Sequence, residues 1–191
     1  MNKIKLVFLD CDGVLSDGIF TMSSENILSK AFFTRDFYGI EQLLRNNIKV
    51  VIMTGSYDTV ILNQINRICE HSEFWNKCYD NDLSLELLTC VDNKLKMLNN
   101  IILSESLKPN YNEIELKNIA YMGDAENDLE CLKSVGYPGC PHDAILDVKK
   151  VSRFISNFNG GKGAVHEFCF NILQKNKNLE NGEKNANIKT E

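Results

Sequence analysis

An α/β domain of three layers, with a central parallel β-sheet between helices, is the fold this sequence predicts. Two observations carry that expectation. Apolar runs of strand length at residues 6–9, 48–53 and 118–122 stop abruptly at polar residues, as strands buried on both faces do. Longer stretches with apolar residues at helical spacing separate them, and such alternation implies parallel strands joined by right-handed crossovers. At 191 residues the chain suits one domain of ordinary size, large enough for a real core.

Taken in order, Leu6-Val7-Phe8-Leu9 is the first strand, followed by Asp10, Asp12 and Gly13. Residues 19–22 and 27–32 flank the polar turn Ser23-Ser24-Glu25-Asn26 and read as a small β-hairpin insertion. Residues 38–47 form a short amphipathic helix through Ile40, Leu43 and Leu44. The strand at 48–53 ends in Thr54-Gly55, and residues 59–69 repeat the helical pattern through Val60, Ile61, Ile65 and Ile68. Residues 73–79 suggest a short strand and 83–103 a mostly helical stretch. The strand at 118–122 ends in Gly123-Asp124, with Asp128 four residues on. A helix at 125–135, a strand near 136–140 bounded by Pro138 and Pro141, a helix at 142–149 and a strand at 153–156 follow. A helix at 163–175 closes the domain with Val165, Phe168, Cys169, Ile172 and Leu173. From Asn176 the chain is too polar to bury anything, so residues 1–175 are expected to form the domain and 176–191 a disordered tail.

Ligand sites in open α/β sheets lie at the carboxyl ends of strands, which is where Asp10 and Asp12 fall. Their spacing suits a nucleophilic carboxylate, a neighbouring acid/base and a hard cation with oxygen ligands. Alone, the pair fits a polar turn equally well. The company it keeps favours chemistry: Thr54-Gly55, Lys94 and Lys96 near a helix start, and Gly123-Asp124-x-x-x-Asp128.

In that order these elements resemble the haloacid dehalogenase (HAD) phosphatase superfamily. Residues 12–18 (Asp-Gly-Val-Leu-Ser-Asp-Gly), Phe33-Thr34-Arg35-Asp36-x-x-Gly39-Ile40, and 160–167 (Gly-Gly-Lys-Gly-Ala-Val-His-Glu) narrow the resemblance. They resemble a branch with no large cap, which holds the 3-deoxy-D-manno-octulosonate 8-phosphate and acylneuraminate 9-phosphate phosphatases. The similarity spans about residues 4–175 and implies a HAD-like Rossmannoid domain. Residues 135–144 (Val-Gly-Tyr-Pro-Gly-Cys-Pro-His-Asp-Ala) are also similar to the C-terminal module of animal CMP-sialate synthetases. That module has generally lost its catalytic carboxylates, so a non-catalytic oligomerisation module is the alternative reading, beside a phosphatase for another small metabolite.

The resemblance implies that Asp10 attacks phosphorus and that Asp12 protonates the leaving alkoxide and then activates water. It implies Mg²⁺ on the carboxylates of Asp10 and Asp124 and the carbonyl of Asp12, with Asp128 behind them or bound through water. Thr54 and the Gly55 N–H would hold phosphoryl oxygens, and Lys94 would offset their charge, with Lys96 its competitor. Asp36 and Lys162 would contact substrate. The implied substrate is a phosphorylated sugar acid of the octulosonate or acylneuraminate type. The hairpin would build a homotetramer, and the segment bearing Lys162 would close over a neighbour's site. Segments 80–93 and 104–117 read as surface insertions. Ser56, Phe37, Ala125, Lys162 and His166 depart from the branch pattern where substrate choice is made. His71, His142 and His166 lack a carboxylate at triad or metal-ligand spacing and read as packing or surface residues.

A net charge of −5 and a pI near 5.3 argue against nucleic acid as a partner, which needs a basic footprint. Seven scattered cysteines without a Cys-x-x-Cys pair support neither a disulfide framework nor structural zinc. Reduced core thiols, no leader and no membrane-length apolar run make the cytoplasm the expected compartment.

Overall fold

Leu6–Leu9 forms strand β1, and all four of its side chains are fully buried, as the middle of a sheet covered on both faces requires. In the computed structural model, which describes residues 2–25, 28–57, 59–81, 84–106 and 114–188, β1 is followed by β2 (Thr21–Met22), β3 (Leu28–Ser29), α1 (Thr34–Arg45) and β4 (Lys49–Met53). Then come α2 (Val60–Glu70), α3 (Glu73–Asn76), β5 (Leu85–Leu88), α4 (Lys94–Ser106) and β6 (Ile119–Met122). The chain ends with α5 (Leu129–Ser134), β7 (Tyr137–Cys140), α6 (Leu146–Val151), β8 (Phe154–Ile155) and α7 (Ala164–Ile188).

Six parallel strands pair in the order β5-β4-β1-β6-β7-β8. Leu9 pairs with Ile52 of β4 and Met122 of β6, so the residues after three strands share one edge. Side chains alternate between faces with period two. Val7, Leu9, Val50, Ile52 and Met122 pack with Ile40, Leu43, Ile61 and Phe168 on one side. Leu6, Phe8, Val51, Met53 and Tyr121 pack with Leu98, Ile101, Leu132 and Val148 on the other. The three-layer α/β architecture is the one expected, and the hairpin β2–β3 is a separate two-stranded sheet.

Several local expectations are corrected. Residues 73–79 are not a strand: the Trp75 N–H donates to Ser72 Oγ (3.4 Å), capping α3, and burial of Trp75 holds the helical turn against the core. The stretch 83–103 is not one helix, because β5 precedes α4 and pairs with β4 from Val50↔Leu85 to Met53↔Leu88. Segment 80–93 therefore contains a strand of the main sheet. In segment 104–117, residues 107–113 lie outside the described residues, while Ile114 is buried in the second core. Of the tail expected to be unstructured from Asn176, the described residues to Ile188 instead continue α7, and the rest lies outside the described residues. Asn176 is buried, its Oδ1 accepting the Ile4 N–H and its Nδ2 donating to the Ile4 carbonyl, both at 2.8 Å.

Candidate active site

Each strand end delivers one part of the site. The Asp10 N–H is tied to the Met122 carbonyl of β6 (3.0 Å), which fixes the loop as β1 ends. Oδ1 of Asp10 accepts the Cys11 N–H and the Lys94 ammonium, both at 2.8 Å. A tight turn over Cys11–Leu15 follows, closed by Ser16 N–H to Cys11 O at 2.9 Å. It passes through Gly13 at φ +85°, where a Cβ would lie 2.2 Å from Asp124 Oδ2. Only glycine lets the two loops meet so closely.

Lys94 opens α4 and is buried, its Nζ 2.8 Å from both Asp10 Oδ1 and Asp128 Oδ1. Lys96 is exposed on the other side of the helix turn, so it is Lys94 and not Lys96 that joins the carboxylate cluster. Asp128 is fully committed: Oδ1 also accepts the Tyr121 hydroxyl (2.7 Å), and Oδ2 accepts the Asp124 and Ala125 N–H groups at 3.0 and 3.2 Å. It frames the Gly123-Asp124 turn and anchors Lys94. By contrast, Asp124 Oδ1 is buried with no hydrogen-bond partner.

Carboxylate oxygens of Asp10, Asp124 and Asp128 lie within 4.8 Å of one another, against one ammonium. Burial pushes Asp10 up to about 7, the Asp128 charge adds to this, and Lys94 pulls back. Asp124 is likewise pushed up to about 7 by burial and then by Asp128. Burial alone would lower the Lys94 ammonium, but Asp10 and Asp128 outweigh it and raise it. A buried oxygen without a donor, in a surplus of hard oxygen ligands, fits a divalent cation such as Mg²⁺. Asp10, Asp124 and Asp128 supply the carboxylates of that cluster.

Asp12 stands beside this cluster in a cage of donors. Lys30 Nζ lies 2.6 Å and Ser16 Oγ 3.1 Å from Oδ1, and Ser56 Oγ lies 3.0 Å from Oδ2. Thr54 is buried at the end of β4, its Oγ1 accepting the Ser56 N–H (3.1 Å), which leaves the hydroxyl proton to donate. Gly55 is exposed in the same turn. The structure thus brings together Asp10, Asp12, Thr54, Gly55, Lys94, Asp124 and Asp128.

Asp36 is elsewhere. It is fully buried at the start of α1 and accepts the Gly163 and His166 N–H groups at 3.3 and 2.8 Å. It caps the amino end of α7 and does not face a substrate. Burial pushes it up to about 6, against the pull of those backbone donors. Lys162 pairs with the loop that follows β1, its Nζ 3.3 Å from Asp17 Oδ2. The glycines beside it lean on their own chain: a Cβ on Gly160 would sit 1.9 Å from the Gly13 carbonyl, and the Gly161 N–H donates to Val14 O at 2.8 Å. Phe37 is core, with its ring against Phe32 and Trp75. His166 lies tilted against Phe170 and stacks on Tyr38. Sequence reasoning missed Lys30, Ser16 and Tyr121; none carries a local signal, since each meets its carboxylate only through the fold or a turn.

A family model described as haloacid dehalogenase-like hydrolase matches residues 84–168. The chain is 30% identical over 172 residues to the 3-deoxy-D-manno-octulosonate 8-phosphate phosphatase of Salmonella typhi, covering 90% of this chain and 80% of that protein. The chain belongs to the haloacid dehalogenase-like hydrolases. Among solved structures of the family, the 3-deoxy-D-manno-octulosonate 8-phosphate phosphatase of Yersinia pestis superposes with a TM-score of 0.75 at 28% identity, over 93% of this chain and 84% of that one. The Moraxella catarrhalis phosphatase of the same name, in complex with a magnesium ion, a phosphate ion and a KDO molecule, gives 0.75 at 27%, over 95% and 92%. These relatives are phosphoric monoester hydrolases, and Mg²⁺ is the family cofactor that this hydrolase's oxygen cluster suits. The family match begins at residue 84, and the Asp10–Asp12 loop joins the matched region through the contacts of Asp10 with Lys94 and of Gly13 with Asp124. Among the described residues no helix is long and apolar enough to cross a membrane.

Proposed function

We propose that this hydrolase is a Mg²⁺-dependent phosphomonoesterase for a phosphorylated sugar acid, with 3-deoxy-D-manno-octulosonate 8-phosphate the favoured substrate. The observation that carries this is the cluster of Asp10, Lys94, Asp128 and Asp124 with one donorless oxygen, beside a separately held Asp12. The sugar acid is supported by the printed activities of relatives that cover most of the chain. Acylneuraminate 9-phosphate is the rival within the same reading.

In this reading Asp10 attacks phosphorus through Oδ2, since its two hydrogen-bond donors both sit on Oδ1. The P–O bond to the sugar breaks, Asp12 gives its proton to the leaving alkoxide, and an aspartyl phosphate remains. Asp12 then takes a proton from water, which attacks the same phosphorus and frees Asp10 with release of phosphate. Mg²⁺, when bound, screens the repulsion between carboxylate and phosphate dianion. Thr54, the Gly55 N–H and Lys94 hold the equatorial oxygens. The test is phosphate release from both sugar-acid phosphates and an aryl phosphate, with Mg²⁺ and with EDTA. Release that is EDTA-sensitive and fastest on the octulosonate supports the reading; no release, or equal release by Asp10→Asn, overturns it.

We further infer a homo-oligomer, a tetramer by resemblance, formed through the hairpin. Ile27 lies outside the described residues and Phe32 packs inward on Phe37, so the apolar face reduces to Ile19, Phe20 and Met22, exposed at 65%, 48% and 64%. A site with no large cap benefits from such cover, because phosphoryl transfer gains from exclusion of water. Sedimentation at micromolar concentration tests this, and a fully active monomer would refute it. Seven free thiols suit the reducing cytoplasm we assign to the enzyme.

A further inference from the structure

Ser56 departs from the pattern of its branch, and it takes no part in the phosphoryl transfer described above. In the fold it is half-buried and ties two parts of the site together. Its N–H donates to Thr54 Oγ1 at 3.1 Å, and its hydroxyl donates to Asp12 Oδ2 at 3.0 Å. The turn that carries it is well anchored. The Thr54 N–H donates to the Leu88 carbonyl (2.9 Å), the Val91 N–H to the Thr54 carbonyl (3.0 Å) and the Cys90 N–H to the Ser56 carbonyl (3.4 Å).

The partners of Asp12 divide by oxygen. Oδ1 accepts from Lys30 Nζ at 2.6 Å and Ser16 Oγ at 3.1 Å, and two donors fill the two lone pairs of a carboxylate oxygen. Oδ2 carries the bond from Ser56 and keeps a lone pair. A general acid holds its proton on an oxygen with a lone pair to spare, so Oδ2 is the oxygen that can pass a proton to the leaving group. The partners also differ in what they fix. Ser16 shares the turn of Asp12 itself, and Lys30 comes from the hairpin, which is a sheet of its own. Ser56 ties Asp12 to the main sheet, through the same turn after β4 that carries Thr54.

We propose that Ser56 is a positioning residue, whose hydroxyl occupies one lone pair of Asp12 Oδ2 and so aims the other at the leaving oxygen. The inference rests on the phosphatase reading above. As the P–O bond breaks, its electron pair goes to the leaving oxygen, which takes the proton from Oδ2. Asp12 is left a carboxylate that still accepts the Ser56 hydrogen. Without Ser56, Oδ1 stays pinned while Oδ2 can turn about it, and the proton loses its direction.

The test compares wild type, Ser56→Ala and Ser56→Thr, each loaded with Mg²⁺, on 3-deoxy-D-manno-octulosonate 8-phosphate and on aryl phosphates graded from p-nitrophenyl to p-methoxyphenyl. An alkoxide needs a proton as it leaves, whereas a nitrophenolate hardly does. General acid catalysis is worth about 10²–10⁴-fold, so in Ser56→Ala the ratio of kcat/KM values, octulosonate over nitrophenyl, should fall roughly 10- to 100-fold. The fall should lie mostly in kcat and not in KM. Across the aryl series the rate should depend more steeply on the leaving group, and Ser56→Thr, which keeps the hydroxyl, should recover most of the loss. A loss on the octulosonate with the aryl dependence unchanged would make Ser56 a contact of the sugar. Equal losses on every substrate would make it a structural residue, and either result overturns the proposal. A crystal structure of Ser56→Ala reads the same point without turnover: the Asp12 carboxylate should leave its wild-type orientation, and an unmoved Asp12 overturns the proposal. Ser56→Cys, with nearly the same shape and a weak donor, should show the same changes and serves where alanine unfolds the turn. A wild type that hydrolyses none of these substrates would fault the phosphatase reading, and the orientation of Asp12 in the crystal would still decide the role of Ser56.

Discussion

Two lysines lie buried between carboxylates at opposite ends of the same sheet. At the carboxyl ends of the strands, Lys94 bridges Asp10 and Asp128. At the amino ends, Lys49 on β4 pairs with Glu86 of β5 and, at 2.7 Å, with Glu105 of α4. A buried lysine with two acidic partners is therefore no mark of a site. What separates the poles is surplus and supply. The Lys94 pole adds a third carboxylate, Asp124, within 4.8 Å of the other two, and it faces loops that can admit a ligand. The Lys49 pole is closed by strand starts and a helix end, where a pair can only hold elements together.

The sharpest way to break this contrast is to neutralise one group at the active pole. Asp10→Asn keeps the shape of the side chain and removes the nucleophile of the proposed mechanism, so phosphate release should fall by at least about 10³-fold. Its circular dichroism should match wild type. If turnover persists, the pole is not the catalytic one, whatever its electrostatics.

The matching change at the other pole is Lys49→Met. It strands Glu86 and Glu105 near a buried site, and breaking such a cluster costs about 3–5 kcal/mol of stability. Urea unfolding reads that loss directly. Turnover per folded molecule should match wild type, and a drop in kcat would show that the two poles are coupled.

The third expected effect is linked to pH. Asp10 and Asp124 are each pushed up to about 7 by burial and by Asp128. Between the ordinary carboxylate range and 7, the folded chain thus holds more protons than the unfolded one, so unfolding free energy falls as pH rises through that window and levels off above it. Asp36, pushed up to about 6 by burial, adds to the lower part of the slope. Mg²⁺ takes the place of the site's protons, so it should release protons on binding and flatten the slope, with about 2–3 kcal/mol gained at 100 times its Kd. Melting temperatures from pH 4.5 to 8 in EDTA and in Mg²⁺ isolate the site, since Asp36 contributes to both. A flat profile in EDTA would mean that the carboxylates at this pole are not in excess.

Most of the active pole was legible in the sequence, because its carboxylates and Thr54 stop apolar runs and strand register alone brings them together. Lys94 could not be separated from Lys96, since the choice depends on helix phase at the entry to α4. Lys30 left no trace: it meets Asp12 across 18 residues. Asp36 misled for the same reason, being a cap for a helix 127 to 130 residues away. Strand β5 was hidden because Leu85-Glu86-Leu87-Leu88 suits a helix as well as an edge strand, and only its pairing with β4 decides. The amino pole was nearly invisible, since Lys49, Glu86 and Glu105 sit in no motif.

Asn176 gives the mildest test of the division between poles. It lies on the stretch of α7 that composition marked as too polar to order, yet its amide closes both backbone groups of Ile4, at the threshold of β1. Ile4 is 2% exposed, so in Asn176→Ala its N–H and carbonyl would be left unpaired where water reaches poorly. That costs about 1–3 kcal/mol, and a domain of this size loses roughly 2–4 °C of Tm per kcal/mol. Asn176→Asp should also destabilise, since a carboxylate accepts from the Ile4 N–H but cannot donate to its carbonyl. Amide exchange should quicken first at Ile4 and along the end of α7, while kcat and KM stay at wild-type values. If instead kcat falls and Tm holds, the amino pole is not the passive clamp that Lys49 and Asn176 describe, and α7 must reach the chemistry by a route other than its Asp36 cap.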